Sequence, residues 1–161
     1  MIERTLVVLK PDAVKRGLVG RIISRLEDAG LKIVGMNMRQ ADDQLVLDHY
    51  DDLEGRIGKE AFAAVCRYVQ SGPVVAIALE GDGAVAVVRK LVGATAPAEA
   101  APGTIRGDLC HQGWRSPGDI RAIFNLIHAS GTPGEAAEEL ALWFDEADLH
   151  AYAAADEEFA F

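Results

Sequence analysis

A lysine closes the apolar run TLVVLK at residues 5–10, and a histidine closes the shorter run NLIH at residues 125–128. Lys10 is in phase with Leu6 and Val8, and ligands of layered α/β proteins bind where strands end. His128 stands two residues before Ser130 and just ahead of Thr132-Pro133-Gly134-Glu135, a helix start whose free N–H groups and dipole attract phosphate. A neutral imidazole, with an unperturbed pKa of about 6.5, can attack a phosphorus held there. Arg89, Thr95 and Arg106 bracket the segment 93–106 with two guanidiniums and a hydroxyl, the donors a polyphosphate needs. Each residue alone also has a plainer reading. Lys10 reads as a lysine reaching solvent, His128 as a core histidine bonded to a carbonyl, and each arginine as half of a surface ion pair. Glu139 is not selected by helical periodicity: a core face of Ala137, Leu140, Ala141 and Phe144 leaves it in solvent.

The elements that must position these groups follow from periodicity. Residues 5–10 are apolar on both faces, as in a central strand, and Pro11 ends the run. Leu18, Ile22, Ile23 and Leu26 recur at helical spacing over 18–29, with Gly30 as the stop. Residues 31–39 and 74–79 read as strands, as does the stretch 125–128. Residues 41–53, 60–70 and 81–92 read as helices, and 93–106 as a surface loop. Thr132 as N-cap, Pro133 at the first helical position and Glu135 two residues later open a final helix that reaches about Phe144. The order of elements suits an α+β sandwich of ferredoxin-like type or a small α/β sheet.

Composition narrows the chemistry. The chain is half hydrophobic and one quarter charged, with two well-separated cysteines. That excludes disorder and a disulfide scaffold, and the cysteines read as reduced thiols. The N-terminus has no signal-peptide pattern, and no run is long enough to span a membrane, so a cytoplasmic location is expected. The net charge is −9, and the nine acids after Arg121 account for all of it. Such a chain has no general attraction for polyanions, which argues against a nucleic-acid groove; an anionic ligand needs a few placed cations. GxxxxGK[ST], GxGxxG and HExxH are absent. The four histidines have no metal-ligand spacing, so no protein-held metal is expected.

Taken together and in order, these residues resemble the nucleoside diphosphate kinase family. The resemblance rests on TLVVLKPDAVKRGLVGRII (5–23), SGPVVAIALEG (71–81), APGTIRGD (101–108), and NLIHAS followed by EELALWF (125–144). It implies a ferredoxin-like βαββαβ core with a four-stranded antiparallel sheet and added helices, assembled as a homo-oligomer, a hexamer or tetramer. It also implies ping-pong transfer of a γ-phosphate from a nucleoside triphosphate, through a histidine, to a nucleoside diphosphate, with Mg²⁺ carried mainly by the nucleotide. By that match His128 is the nucleophile through Nδ1. Lys10, Arg89, Thr95, Arg106 and Asn125 hold phosphates and ribose, and Tyr50 lies beside the pocket. Glu139, supported by Ser130, fixes the imidazole tautomer.

The chain departs from the family pattern in four places. Ala61 stands where a base-stacking phenylalanine is common, which makes Phe62 and Val65 the candidates for the nucleobase, and the stretch from Tyr50 to Ala61 is longer than usual. The segment 109–124 is also longer. Gly131 and Phe124 replace an aspartate and an arginine. The expected organisation is a kinase-like domain over 1–144 and an acidic extension over 145–161 packed on it or on a neighbouring subunit. The contrasting expectation is a non-catalytic nucleotide-binding regulatory protein on the same fold, in which one or more of the reacting residues would be missing.

Overall fold

The computed structural model describes residues 1–113, 122–155 and 157–160. Among these, the elements run β1 (Ile2–Leu9), α1 (Pro11–Lys15), α2 (Val19–Glu27), β2 (Lys32–Arg39), α3 (Asp43–His49), α4 (Leu53–Ile57), α5 (Lys59–Val69), β3 (Val74–Asp82), α6 (Ala84–Val92), α7 (Ile105–Leu109), β4 (Ile127–Ala129), α8 (Pro133–Trp143) and α9 (Glu157–Ala160), with short 3-10 turns at Pro97–Glu99 and Glu146–Asp148. The four strands form one sheet in the order β2-β3-β1-β4, and every neighbouring pair is antiparallel. This is the ferredoxin-like α+β sandwich with added helices.

The apolar strands are explained by helices on both faces. In β1, Val7 and Leu9 face a core with Ile22, Leu26, Val88 and Ile105 from α2, α6 and α7. Leu6 and Val8 face the second core, built with Val46, Tyr68, Leu140 and Trp143 from α3, α5 and α8. β3 alternates in the same way: Val75, Ile77 and Leu79 face the first core, and Val74, Ala76 and Ala78 the second.

Pro11 does more than end β1. It occupies the first turn of α1, where its fixed φ suits a helix and its missing N–H costs nothing. The expected helix over 41–53 is the shorter α3, and the stretch between it and α5 carries a further short helix, α4. The opening of α8 follows its sequence: Thr132 Oγ1 accepts from Glu135 N at 3.1 Å, and the Glu135 carboxylate accepts from Gly131 N at 2.9 Å. The buried face of α8 is a correction. It is Ala136, Leu140 and Trp143 rather than Ala137 and Ala141, which are exposed. Turning the helix this way brings Glu139 inward.

The extension after Phe144 lies along β2, where His150 N donates to Val34 O and the Tyr152 hydroxyl to Ile33 O. Lys32 bonds Glu80, Glu157 and the Tyr152 carbonyl. Half of the longer segment 109–124, residues 114–121, together with Asp156 and Phe161, lies outside the described residues.

Leu79 is fully buried in β3, between β1 and β2. Leu79→Ala is expected to cost about 2–5 kcal/mol of unfolding free energy, read from the midpoint of urea denaturation at unchanged slope.

Candidate active site

Strand register assembles the centre. His128 pairs directly with Val8 across β1 and β4, and opposed residues of an antiparallel pair share a face. Lys10 is two residues beyond Val8 and so emerges on that same face. Both side chains line a cleft of about 950 Å³, which Tyr50, Arg89, Thr95, Arg106, Asn125 and Glu139 also line.

The imidazole of His128 is held from behind. Its Nε2 lies 2.8 Å from Glu139 Oε1, while Ser130 Oγ donates to Glu139 Oε2 at 2.6 Å. Burial raises the proton affinity of Glu139, but the hydrogen bonds and charge of His128 and the Ser130 hydroxyl outweigh it and leave the carboxyl below its ordinary value. A carboxylate can only accept, so Nε2 carries the ring proton and Nδ1 keeps its lone pair.

Lys10 and Arg106 form the cationic floor. Lys10 Nζ donates to Asn125 Oδ1 at 2.7 Å, and Asn125 Nδ2 donates to Thr95 O at 2.9 Å. Burial and the nearby Arg106 push Lys10 down to about 7, against the opposing effect of Asp12. Arg106, only 4% exposed, spends three donors on the carbonyls of Asn125, Gly93 and Ile127 at 2.6–3.1 Å. Burial and Arg89 bring it down to about 10. Helix α7 places this guanidinium. Thr104 caps the helix by accepting from Gly107 N, and a Cβ at Gly107 would fall 2.2 Å from Ala101 O, so glycine is required there.

The backbone between Asn125 and His128 is strained. Leu126 has φ +70°, the one positive value at a non-glycine residue among those described, and Ile127 N closes a three-residue turn onto Asn125 O at 2.8 Å. Such a conformation costs about 1–3 kcal/mol and persists only where its surroundings over-determine it.

Of the residues singled out from sequence, Ser130 is fully buried behind Glu139, and Phe62 is not brought to the cleft. Phe62 is 7% exposed within α5, whereas the apolar lining of the cleft includes Leu53 and Ile57 of α4. Sequence reasoning missed His49. Its side chain is 2% exposed and its ring packs edge-on against His128, with centroids 4.4 Å apart. His49 Nδ1 accepts from Trp143 Nε1 at 3.2 Å, and Nε2 has no hydrogen-bond partner among the described residues. Burial, with His128 beside it, lowers its pKa to about 3, so it stays neutral. The only trace of this in the sequence is its position next to Tyr50.

His49, His128 and Glu139 lie close enough to face a common ion. However, both Glu139 oxygens and His49 Nδ1 are already bonded, and imidazoles suit transition metals better than Mg²⁺. What the arrangement can do is present one unprotonated ring nitrogen to a polyanion gripped by the cations of the cleft.

Comparison with known proteins agrees with this geometry. The family model "Nucleoside diphosphate kinase" matches residues 3–149. A nucleoside diphosphate kinase of Pyrococcus furiosus is 48% identical over 98% of this chain and 92% of its own. A nucleoside diphosphate kinase of Borrelia burgdorferi, solved as a transition-state mimic with vanadate and ADP, superimposes with a TM-score of 0.94 at 37% identity, covering 99% of this chain and 96% of that one. A halophilic nucleoside diphosphate kinase from Halobacterium salinarum, in complex with CDP, gives 0.88 at 38% identity over 100% and 99%. Among the described residues no helix is long and apolar enough to cross a membrane. The chain therefore belongs to the nucleoside diphosphate kinase family, and its activity is that of a nucleoside diphosphate kinase.

Proposed function

We propose that this chain moves the γ-phosphoryl group of a nucleoside triphosphate to a nucleoside diphosphate through a phosphohistidine at Nδ1 of His128. One observation carries the reading: the Nε2–Glu139 contact of 2.8 Å, which leaves Nδ1 unprotonated in the cleft. The Nδ1 lone pair attacks the γ-phosphorus as the bond to the β–γ bridging oxygen breaks, and the diphosphate leaves with that electron pair. The ring gains positive charge while its Nε2–H stays on Glu139, whose carboxylate stabilises the imidazolium. A second diphosphate then takes the phosphoryl group by the reverse displacement. Lys10, Arg89 and Arg106 neutralise the phosphate oxygens, and Thr95 and Asn125 position them. Positioning and charge neutralisation account for most of what this chemistry demands of a protein.

Asp51 and Asp52 line the same cleft and are hard oxygen donors, so they are the residues that would hold a Mg²⁺ ion arriving with the nucleotide. Bound there, the ion supplies neutralisation of phosphate charge. Leu53 and Ile57, one helical turn apart, offer the nucleobase an apolar contact that any base can use. This assigns the base to α4 in place of Phe62 and Val65. Assembly into a homo-oligomer is supported by β2, an edge strand on which Met36 and Met38 are 56% and 61% exposed.

Incubation with Mg²⁺ and γ-labelled ATP is expected to leave acid-labile, alkali-stable label on the wild-type protein, discharged by GDP, and none on His128→Ala. Nucleotide binding without label on the wild type would favour the regulatory reading instead.

Glu139 also contributes to acid stability. Because its folded pKa is depressed, its stabilisation is fully present above its ordinary value of 4.5 and is lost as pH falls through the lower folded value. Glu139→Gln is expected to flatten the fall in unfolding free energy below about pH 5. It should also slow label formation by about 10-fold or more, by removing the charge opposite the imidazolium. Parallel stability curves for the two proteins would count against the assignment.

A further inference from the structure

Asp12 was not among the expected site residues and does not line the cleft. It stands at the second position of α1, and its carboxylate is used twice. Oδ2 accepts from the backbone N–H of Leu126 at 3.1 Å, and Oδ1 accepts from the Tyr68 hydroxyl at 2.7 Å.

Leu126 is the strained residue between Asn125 and Ile127, and the polar backbone around it is otherwise bound. Lys10 N donates to Leu126 O at 2.8 Å. Ile127 N and Arg106 Nε share Asn125 O, and Arg106 Nη2 takes Ile127 O. The Leu126 N–H is held by a side chain, and that side chain is Asp12. The same carboxylate is the negative group that opposes the loss of the Lys10 proton.

We propose that Asp12 is a positioning residue of the phosphoryl-transfer site, clamping the turn that aims Asn125 and His128 while supplying a counter-charge to Lys10. The inference rests on the reading of His128 as the phosphorylated residue. Asp12 touches no reacting atom; it acts through Leu126 and Lys10. Relaxation of the turn would move Asn125, which holds Lys10 Nζ, and the strand that carries His128. Arg89 and Thr95 are placed by α6 and the segment after it, so capture of phosphate would survive.

The charge effect has a definite sign. Lys10 faces Arg106 of α7, Arg89 of α6, Tyr68 of α5, His49 and Tyr50 at the end of α3, His128 of β4 and Glu139 of α8. Asp12 raises its proton affinity against burial and Arg106. Without that charge Lys10 loses its proton at lower pH, and the alkaline limb of the reaction moves down with it.

Rapid-quench measurement of phosphoenzyme formation from Mg-ATP, across pH, tests this on wild type, Asp12→Ala, Asp12→Asn and Tyr68→Phe. Asp12→Ala is expected to lower the rate at saturating nucleotide by about 10-fold or more, with half-saturation within about 3-fold. Asn at position 12 keeps an acceptor for Leu126 but loses the charge. It is expected to move the alkaline limb of the rate at low nucleotide, which reports the free enzyme, downward by about half a pH unit or more. Tyr68→Phe, which removes the other partner and keeps the ring, should stay within about 3-fold of wild type with an unmoved limb. A wild-type rate in Asp12→Ala, an unmoved limb in Asp12→Asn, or an equal loss in Tyr68→Phe would each overturn the proposal. Should Asp12→Ala fail to fold, the other two variants decide it alone. Failure of the wild type to label would overturn the reading of His128, and this inference with it; the variant outcomes overturn the inference only.

Discussion

Two cations, Arg106 buried and Lys10 half-buried, set the terms for the rest of this structure. Arg106 lowers the proton affinity of Lys10 and Arg89 lowers that of Arg106, and neither Lys10 nor Arg106 has a carboxylate salt bridge among the described residues. Burial of charge without a bonded carboxylate is costly, and the chain meets the cost mainly with dipoles: Arg106 donates to three carbonyls, and Lys10 to the amide oxygen of Asn125. Carbonyls temper a guanidinium without neutralising it. The floor of the cleft is therefore left electrostatically open, and a polyphosphate completes it. A carboxylate salt bridge in the same place would have given a steadier fold and a weaker grip on phosphate.

The same constraint explains the strain beside the nucleophile. To bind Arg106, the carbonyls of Asn125 and Ile127 must both turn toward one guanidinium, and the chain between them folds into the tight turn at Leu126. Five hydrogen bonds around three residues hold it there. The strand emerging from this turn carries His128 at a fixed height over β1, opposite Val8. On the other side, Glu139 and Ser130 fix the ring from α8 and the end of β4. The imidazole is thus oriented by backbone from below and by a carboxylate from behind, with its free nitrogen toward the cleft.

Much of this was legible in the residues. The doubly apolar strands required helices on both faces, and the cap at Thr132 placed the start of α8. The four ordered motifs led to the family and, with it, to eight of the residues that line the cleft. What was not legible depended on direction. Periodicity placed the wrong alanines of α8 inside, because Ala137 and Ala141 are too small to mark a core face, so only the structure shows how Glu139 turns inward. His49 and Asp12 each stand near other charged residues, Asp48 and Asp51 or Lys10 and Lys15, and nothing local separates them from solvated neighbours. Their roles come from contacts across the fold, to Trp143 and to Leu126. Position along the chain points to Phe62 for the cleft, whereas Leu53 and Ile57 of α4, which precedes it, supply the apolar lining there.

Charge distribution completes the logic. In a chain of net charge −9, acids line the cleft as well (Asp48, Asp51, Asp52, Glu135, Glu138 and Glu139), so a highly anionic substrate depends on the few cations placed among them. Nine of the chain's acids follow Arg121, and part of that segment is tied down by Lys32, which bonds Glu80 and Glu157 at the far end of β2. The hydrogen bonds it donates to Glu157 and Glu80 raise the proton affinity of Lys32, whereas burial and Arg106 lower that of Lys10 to about 7. One lysine is thereby surrounded by carboxylates and serves the fold. The other has the amide oxygen of Asn125, a second cation and the counter-charge of Asp12 around it, with no carboxylate bonded to its Nζ among the described residues, and that difference in surroundings leaves Lys10 open to a phosphate.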